Sequence, residues 1–162
     1  LTNVSHVLIA TPTSTHFEVL KKVRFIYTCP VMVEKPISMD MDECKAMAAM
    51  DNLYVVNNWA HVKQHSYLEP GKHKIDYAYY HTGPHGAMWD CCQLAYLCKK
   101  LDIDVTSPIW RCWIDLEPAS LEDVHRSDIR MIQAFISMDK SKLWTSKDGY
   151  EMSKLCTKGK KW

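Results

Sequence analysis

The first third of the chain alternates between short apolar runs and amphipathic stretches. Three runs are mostly apolar and short enough for buried strands: residues 6–10, 31–34 and 54–57. Between these runs the apolar spacing favours two helices. Ser14 or Thr15 would cap the first helix, and Asp40 would cap the second, with Glu43 completing a capping box. Because strands that alternate with helices are joined by right-handed crossovers, this order predicts a parallel sheet.

The remaining chain has a looser pattern, which begins after a polar join at residues 61–73. Alternation and helical spacing predict, in order, strand 75–81, helix 88–100, strand 108–116, helix 121–135 and helix 148–156. The helix 121–135 is predicted from the face that six residues share: Leu121, Val124, Asp128, Met131, Ile132 and Phe135. We therefore predict an α/β protein with a parallel sheet in residues 1–60 and a reduced α+β domain in residues 61–162.

Composition narrows the class of protein. The 162 residues are 47% apolar and 24% charged, as is usual for a globular protein. The net charge of +1 gives no electrostatic footprint for nucleic acid. We see neither a signal peptide nor an apolar run of about 18 residues, so we expect no membrane partner and a cytoplasmic location. The seven cysteines follow no disulfide framework or zinc-ligand spacing, which predicts reduced thiols and no metal site.

Polar motifs directly follow the first two predicted strands. The sequence Ala-Thr-Pro-Thr-Ser-Thr-His occupies residues 10–16, and Glu34-Lys35-Pro36 ends the second apolar run. In parallel α/β sheets, ligands bind just past the carboxyl ends of the strands. The two motifs therefore place a threonine, a histidine and a lysine where chemistry is expected.

Taken together and in this order, the two motifs resemble those of the Gfo/Idh/MocA family of nicotinamide-dependent sugar and polyol oxidoreductases. The resemblance is good over residues 4–60. It implies that residues 1–60 form the C-terminal half of a Rossmann-like nucleotide-binding domain, and residues 61–162 a reduced domain for substrate binding or oligomerisation. It also implies hydride transfer at a secondary hydroxyl, NAD or NADP as cofactor, and a sugar or polyol as substrate. A homo-oligomer is expected, because two strands make a poor sheet alone.

The resemblance assigns roles to individual residues. Lys35 would lie beside the nicotinamide and hydrogen-bond the reacting hydroxyl, and Asp90 would be its proton partner. The cofactor contacts would come from the two motifs: Thr11, Pro12, His16, Glu34, Lys35 and Pro36. Glu34 would serve as a packing and orienting residue and would not act as the base of the reaction. The family's catalytic histidine has no counterpart beside Asp90, and we expect His81 and His85 to contact substrate in its place.

Simpler interpretations of the same residues stay open. Lys35 could be a solvated loop lysine before a proline, and Thr11-Pro12 could serve only as a turn. The family's G-x-G-x-x-G turn, which holds the cofactor pyrophosphate, has no match among the five glycines, the first of which is Gly71. The sequence could therefore be truncated or a fragment, or it could come from a relative that has lost the cofactor. Two hypotheses remain: a dehydrogenase, or a non-catalytic relative that acts as a binding or assembly module.

Overall fold

A computed structural model of the chain describes residues 3–62, 71–73, 87–105 and 121–158. The strands are β1 (Val7–Ile9), β2 (Val31–Val33), β3 (Leu53–Val55), β4 (Gly71–His73), β5 (Ile103–Val105) and β6 (Trp144–Thr145). The helices are α1 (His16–Ile26), α2 (Met41–Ala48), α3 (Ala87–Lys100), α4 (Leu121–Ile136) and α5 (Ser146–Lys158). Short 3₁₀ helices precede α1 and follow β3, at Thr13–Thr15 and Asn58–His61.

The main sheet has the strand order β1-β2-β3-β6. β1, β2 and β3 are parallel, and Val31 of β2 pairs with Val7 on one side and Leu53 on the other. β6 adds an antiparallel edge, with Trp144 opposite Val55. The predicted α/β class and its partial parallel sheet are therefore confirmed. Within the described ranges, β4 and β5 form a separate two-stranded parallel sheet.

The cap of α2 was predicted correctly in part. Asp40 Oδ1 accepts hydrogen bonds from the backbone amides of Asp42 at 2.8 Å and Glu43 at 3.1 Å. The Glu43 carboxylate, however, accepts the hydroxyl proton of Ser38 at 2.6 Å, and the Asp40 amide donates to Ser38 Oγ at 3.1 Å. The Glu43 carboxylate and the Asp40 amide were expected to bond to each other, and each of them bonds to the Ser38 hydroxyl instead.

The predicted side-chain cap of α1 is wrong. Thr15 occupies the N-cap position, but its side chain makes no capping hydrogen bond. Its hydroxyl instead donates to the Pro12 carbonyl at 2.7 Å. The reason is local, because the 3₁₀ turn at Thr13–Thr15 already closes the chain onto Pro12 before the α-helix begins.

Both faces of the main sheet are buried at its central strands β2 and β3, whereas Leu8 of the edge strand β1 is 48% exposed. On one side of the sheet, the strands and the helices α1, α2, α3 and α5 form one apolar cluster. Its fully buried residues include Val31, Val33 and Val55 of the strands, with Leu20 of α1 and Met152 of α5. The other face carries Met32 and Tyr54, which pack against residues of α4 such as Met131 and Phe135. Strands that are buried on two sides are apolar at every position, which explains the continuous runs in the sequence.

β6 and α5, from the C-terminal part of the chain, pack with the N-terminal strands: β6 joins the main sheet and α5 lies against it. A Cβ placed on Gly149 of α5 would lie 2.8 Å from Ile37 Cγ2 and 3.3 Å from Val55 Cβ, so this helix closely approaches the sheet. The helices predicted at 88–100, 121–135 and 148–156 are present as α3, α4 and α5. The predicted strands 75–81 and 108–116 lie outside the described residues, and the division into two domains stays a prediction. Of the helices described, none is long and apolar enough to cross a membrane.

Candidate functional site

A cavity of about 500 Å³ lies beside the carboxyl ends of β1, β2 and β3. The polar part of its lining comes from the strand ends and from the helices above them: Glu34, Lys35, Asn58, Trp59, Gln93 and Asp128. Apolar residues such as Leu8 and Met131 form the rest. The volume lies in the range of small-molecule sites, and polar and apolar residues contribute to the lining in similar numbers. We call this space the Lys35 cavity.

Glu34 and Lys35 directly follow β2, and the backbone of Glu34 is hydrogen-bonded to β1. Both are half-buried. The Glu34 amide donates to the Ile9 carbonyl at 2.9 Å, and Glu34 Oε2 accepts from the Lys35 amide at 3.1 Å. The Lys35–Pro36 peptide bond is cis, and Pro36 is buried. The Glu34 carboxylate is thus engaged with the backbone, and Lys35 lines the Lys35 cavity. The roles predicted for both residues stay predictions.

His16 joins the loops that follow β1 and β2. Its ring is fully buried, with Nε2 2.7 Å from the Thr11 carbonyl oxygen and Nδ1 3.2 Å from that of Ile37. Carbonyl oxygens only accept, so a neutral imidazole donates one hydrogen bond here and an imidazolium donates two. The ring nitrogens are already occupied by backbone, and the predicted contact of His16 with a cofactor stays a prediction.

The loop after β1 is organised by its own hydrogen bonds. Thr11 and Pro12 are exposed. The Thr15 hydroxyl lies 2.9 Å from Thr11 Oγ1, and the Thr15 amide donates to the Pro12 carbonyl at 2.8 Å. The side chain of Thr11 and the ring of Pro12 therefore face solvent at a strand end, where a ligand could reach them. Their predicted contact with a cofactor is untested.

Two groups of site residues come from outside the strand-end motifs. The Trp59 amide lies 3.1 Å from Asn58 Oδ1 and 3.4 Å from Oε1 of Gln93, which is 1% exposed and belongs to α3. Asp128 reaches the cavity from α4 and is exposed. Sequence reasoning did not propose any of these four. The signal for Asp128 was present, since it is the acidic residue on an otherwise apolar helix face.

Three predicted residues are not placed by the structure. Asp90 falls within α3, one helical turn before Gln93, but its side chain is outside the described part of the chain. His81 and His85 lie outside the described residues altogether.

Two buried cysteines of the described chain, Cys44 and Cys98, do not line the Lys35 cavity. Burial raises the pKa of the Cys98 thiol to about 12 and also raises that of Cys44, and both cysteines are free. High thiol pKa values make thiolate chemistry slow. In the ranges that the structure describes, no three His, Cys, Asp or Glu residues group in a way that could hold a metal ion.

The described residues fit one end of a nicotinamide dinucleotide better than the other. The Lys35 cavity offers a cation, amides and apolar walls at the strand ends, which suits a nicotinamide ring and a hydroxylated substrate. A pyrophosphate needs unpaired backbone amides at a helix start. At the start of α1 the amides of Thr15 and His16 already donate to Pro12 and Thr13, so that turn offers no comparable cradle.

Comparison with known proteins gives a family match for part of the chain and a solved structure of similar fold. Residues 1–53 match the Gfo/Idh/MocA family model, described as an oxidoreductase family with an NAD-binding Rossmann fold. The resemblance stated from the two motifs is thereby confirmed for that part of the chain. A myo-inositol dehydrogenase from Corynebacterium glutamicum has a similar structure, with a TM-score of 0.58 and 9% identity over 96% of this chain and 77% of that one. At that identity the similarity concerns the fold. Curated proteins give no match in sequence.

Proposed function

We propose that this chain carries a hydride-transfer site of an NAD- or NADP-dependent oxidoreductase that acts on a secondary hydroxyl of a sugar or polyol. One observation carries the proposal: Lys35 lies half-buried at the carboxyl end of β2, in a cavity that also contains Asn58 and Gln93. The family match over residues 1–53 supports NAD-linked chemistry. The similar fold of an inositol dehydrogenase supports a polyol as the substrate class.

The residues of the cavity divide the work by their chemistry. The Lys35 ammonium donates a hydrogen bond to the substrate oxygen and favours its alkoxide-like form as the carbon loses its hydride. The side-chain amides of Asn58 and Gln93 can bind neighbouring hydroxyls, as donors and acceptors. A bound nicotinamide ring would supply the hydride acceptor.

The hydroxyl proton requires a base close to Lys35. Besides Glu34, whose Oε2 accepts from the Lys35 amide, Asp128 is the carboxylate among the described lining residues of the Lys35 cavity. We propose Asp128 as the proton acceptor, and Asp90 of α3 remains the proton partner that the resemblance implies. The two are separable by substitution, because Asp128→Asn and Asp90→Asn remove one carboxylate each.

The first test is a titration with NADH and NADPH, followed by energy transfer from tryptophan to the reduced nicotinamide. Trp59 lines the cavity, so Trp59→Phe should lower the transfer efficiency more than it lowers the affinity. Saturable binding at micromolar concentration supports the proposal. The cofactor with the lower Kd is then the one that the protein prefers, NAD or NADP. No binding at millimolar concentration contradicts it and favours a binding or assembly module.

A screen of sugars and polyols follows if the cofactor binds. Lys35→Met should lower kcat/KM by a factor of about 100 or more, because a positioned proton-transfer group contributes at least that much. The matched control is Lys45→Met, since Lys45 is an exposed lysine of α2 outside the cavity. Unchanged turnover in Lys35→Met would remove Lys35 from the mechanism. Sedimentation of the same samples tests the proposed homo-oligomer.

A further inference from the structure

One wall of the Lys35 cavity is formed by the short 3₁₀ turn that follows β3. Asn58 and Trp59, the first two residues of this turn, line the cavity. The backbone of the turn closes it, since the Ala60 amide donates to the Asn57 carbonyl at 2.9 Å. This bond shapes the turn but does not attach it to the rest of the protein. We call residues 58–61 the cavity turn.

Asn57 stands directly before the cavity turn, is fully buried, and does not cap the turn with its side chain. Asparagine at the start of a helix usually accepts hydrogen bonds from the first amides of that helix. Here Nδ2 instead donates to the Lys142 carbonyl at 3.1 Å, in the segment between α4 and β6. The Asn57 amide donates to Sδ of Met131 in α4 at 3.2 Å. Asn57 therefore attaches the start of the turn to two other parts of the fold.

The end of the cavity turn is attached to the same two parts of the fold. The ring of His61, the last residue of the turn, is also hydrogen-bonded to the Lys142 carbonyl. The His61 carbonyl accepts from Nε of Arg130 in α4 at 2.8 Å. One carbonyl, that of Lys142, therefore holds the chain both before and after Asn58 and Trp59.

The other side-chain atom of Asn57 shows that its amide is not there to satisfy the core. Within the described residues, the buried Oδ1 has no hydrogen-bond partner. Such an acceptor costs free energy, which an apolar side chain of the same shape would avoid. We propose that Asn57 is a positioning residue, whose hydrogen bond to the Lys142 carbonyl fixes the cavity turn so that Asn58 and Trp59 face the Lys35 cavity. The consequence for cofactor binding rests on the proposed function, whereas the placement of the turn does not.

Two substitutions separate this hydrogen bond from the packing of Asn57. Asn57→Leu keeps the branched shape, removes the donor, and removes the unpaired Oδ1 as well. Asn57→Asp keeps the shape and can donate to the Lys142 carbonyl only while its carboxyl is protonated. Burial favours the protonated form, so the donor is present at low pH and is lost as the pH rises. Asn57→Asp should therefore behave like the wild type at pH ~5 and like Asn57→Leu at higher pH.

The reporter is the fluorine NMR resonance of Trp59 in protein labelled with fluorotryptophan, assigned by its absence from Trp59→Phe. In Asn57→Leu this resonance should shift or split. The resonance of Trp144, whose buried ring packs edge-on against Tyr96, should stay in place. An unmoved Trp59 resonance in Asn57→Leu, or equal shifts of Trp59 and Trp144, would overturn the proposal. If Asn57→Leu does not fold, Asn57→Asp still decides, because a Trp59 resonance with the same pH dependence as in the wild type would overturn it too.

Ser146→Ala is the matched control, because it also removes a buried donor to a backbone carbonyl. Ser146 is 3% exposed, and its hydroxyl donates to the Met50 carbonyl at 3.3 Å, away from the lining of the Lys35 cavity. This variant should leave the Trp59 resonance in place.

NADH binding tests the consequence for the proposed function. Asn57→Leu should raise the Kd for NADH about tenfold, less than the roughly 100-fold loss that a 1 Å misplacement of a site can cause, and Ser146→Ala should not change it. An unchanged Kd in Asn57→Leu would contradict a positioning role in binding. A wild type that binds no cofactor contradicts the proposed function instead, and the Trp59 resonance then decides whether Asn57 fixes the cavity turn.

Discussion

The hydroxyl of Tyr96 donates a 2.7 Å hydrogen bond to Oδ1 of Asp148 and so joins α3 to α5. Asp148 also accepts from the amide of Thr145 at 2.7 Å and from its hydroxyl at 2.9 Å, and it pairs with Lys100 at 2.9 Å. One carboxylate therefore ties together the end of β6, the start of α5 and the end of α3. Its side chain is 15% exposed, so these contacts are little screened by water.

Asp148→Asn should lower the free energy of unfolding at pH 7 by about 1.5–3 kcal/mol, the range for hydrogen bonds to a charged group. Burial opposes ionisation of Asp148, but hydrogen bonds from Tyr96, Lys100 and Thr145 outweigh it and lower its pKa below the usual 3.8. A lowered carboxyl pKa stabilises the folded state above pH ~4, and this contribution is lost as the pH falls through the folded-state value.

Urea unfolding of the wild type and Asp148→Asn at several pH values checks this. The difference between the two proteins should be constant from pH 7 to pH 5 and should shrink towards pH 3. Asp51→Asn is the control, since Asp51 is an exposed aspartate in the turn before β3. A difference that does not change with pH would show that the ionisation of Asp148 contributes nothing to stability.

His16→Gln should lower the free energy of unfolding by about 1–3 kcal/mol, because the carbonyls of Thr11 and Ile37 lose the buried ring that lies between them. The imidazole spans from Thr11 to Ile37, whereas a glutamine amide offers its donors from a single nitrogen. Thermal and urea unfolding measure the loss. His125→Gln, on the exposed side of α4, should leave stability unchanged within about 0.5 kcal/mol.

Elements that depend on local chemistry could be predicted from the sequence. The run at Val31–Val33 is buried at all three positions, so its apolar pattern was unambiguous. Asp40 caps α2 through amides only two and three residues away, and the sequence therefore contains the whole interaction. The position of Lys35 just past the end of β2 could be predicted because it follows from the strand that precedes it, whereas its role stays a prediction.

Elements that depend on distant partners could not be predicted. β6 has only two residues, and it is a strand because it pairs with the edge of β3, where Trp144 lies opposite Val55. Gln93 and Asp128 join the Lys35 cavity only because α3 and α4 pack over the strand ends. The sequence near Gln93 and Asp128 does not predict that packing. An acidic residue within an apolar helix face did indicate that Asp128 differs from its neighbours in surroundings.

Asp40→Ala should lower the free energy of unfolding by about 1 kcal/mol, which is typical for the loss of an N-cap. Two amides at the start of α2, those of Asp42 and Glu43, would lose their acceptor. Asp40→Asn should recover most of the loss, because an amide oxygen also caps. Urea unfolding is the measurement, with Asp42→Ala as a control at the first turn, and an equal loss in that variant would contradict a capping role for Asp40.

Gly149→Ala sets two effects of opposite sign against each other. Alanine favours a helix over glycine by about 1 kcal/mol, whereas overpacking a core costs about 1–3 kcal/mol. The new Cβ would lie 2.8 Å from Ile37 Cγ2, a methyl on the branched Cβ of a fully buried residue. We therefore expect Gly149→Ala to destabilise the protein by about 1 kcal/mol or more. In an Ile37→Ala background, which lacks that methyl, the same substitution should become neutral or stabilising. A double-mutant cycle by urea unfolding tests this, and a loss of equal size in both backgrounds would contradict the contact.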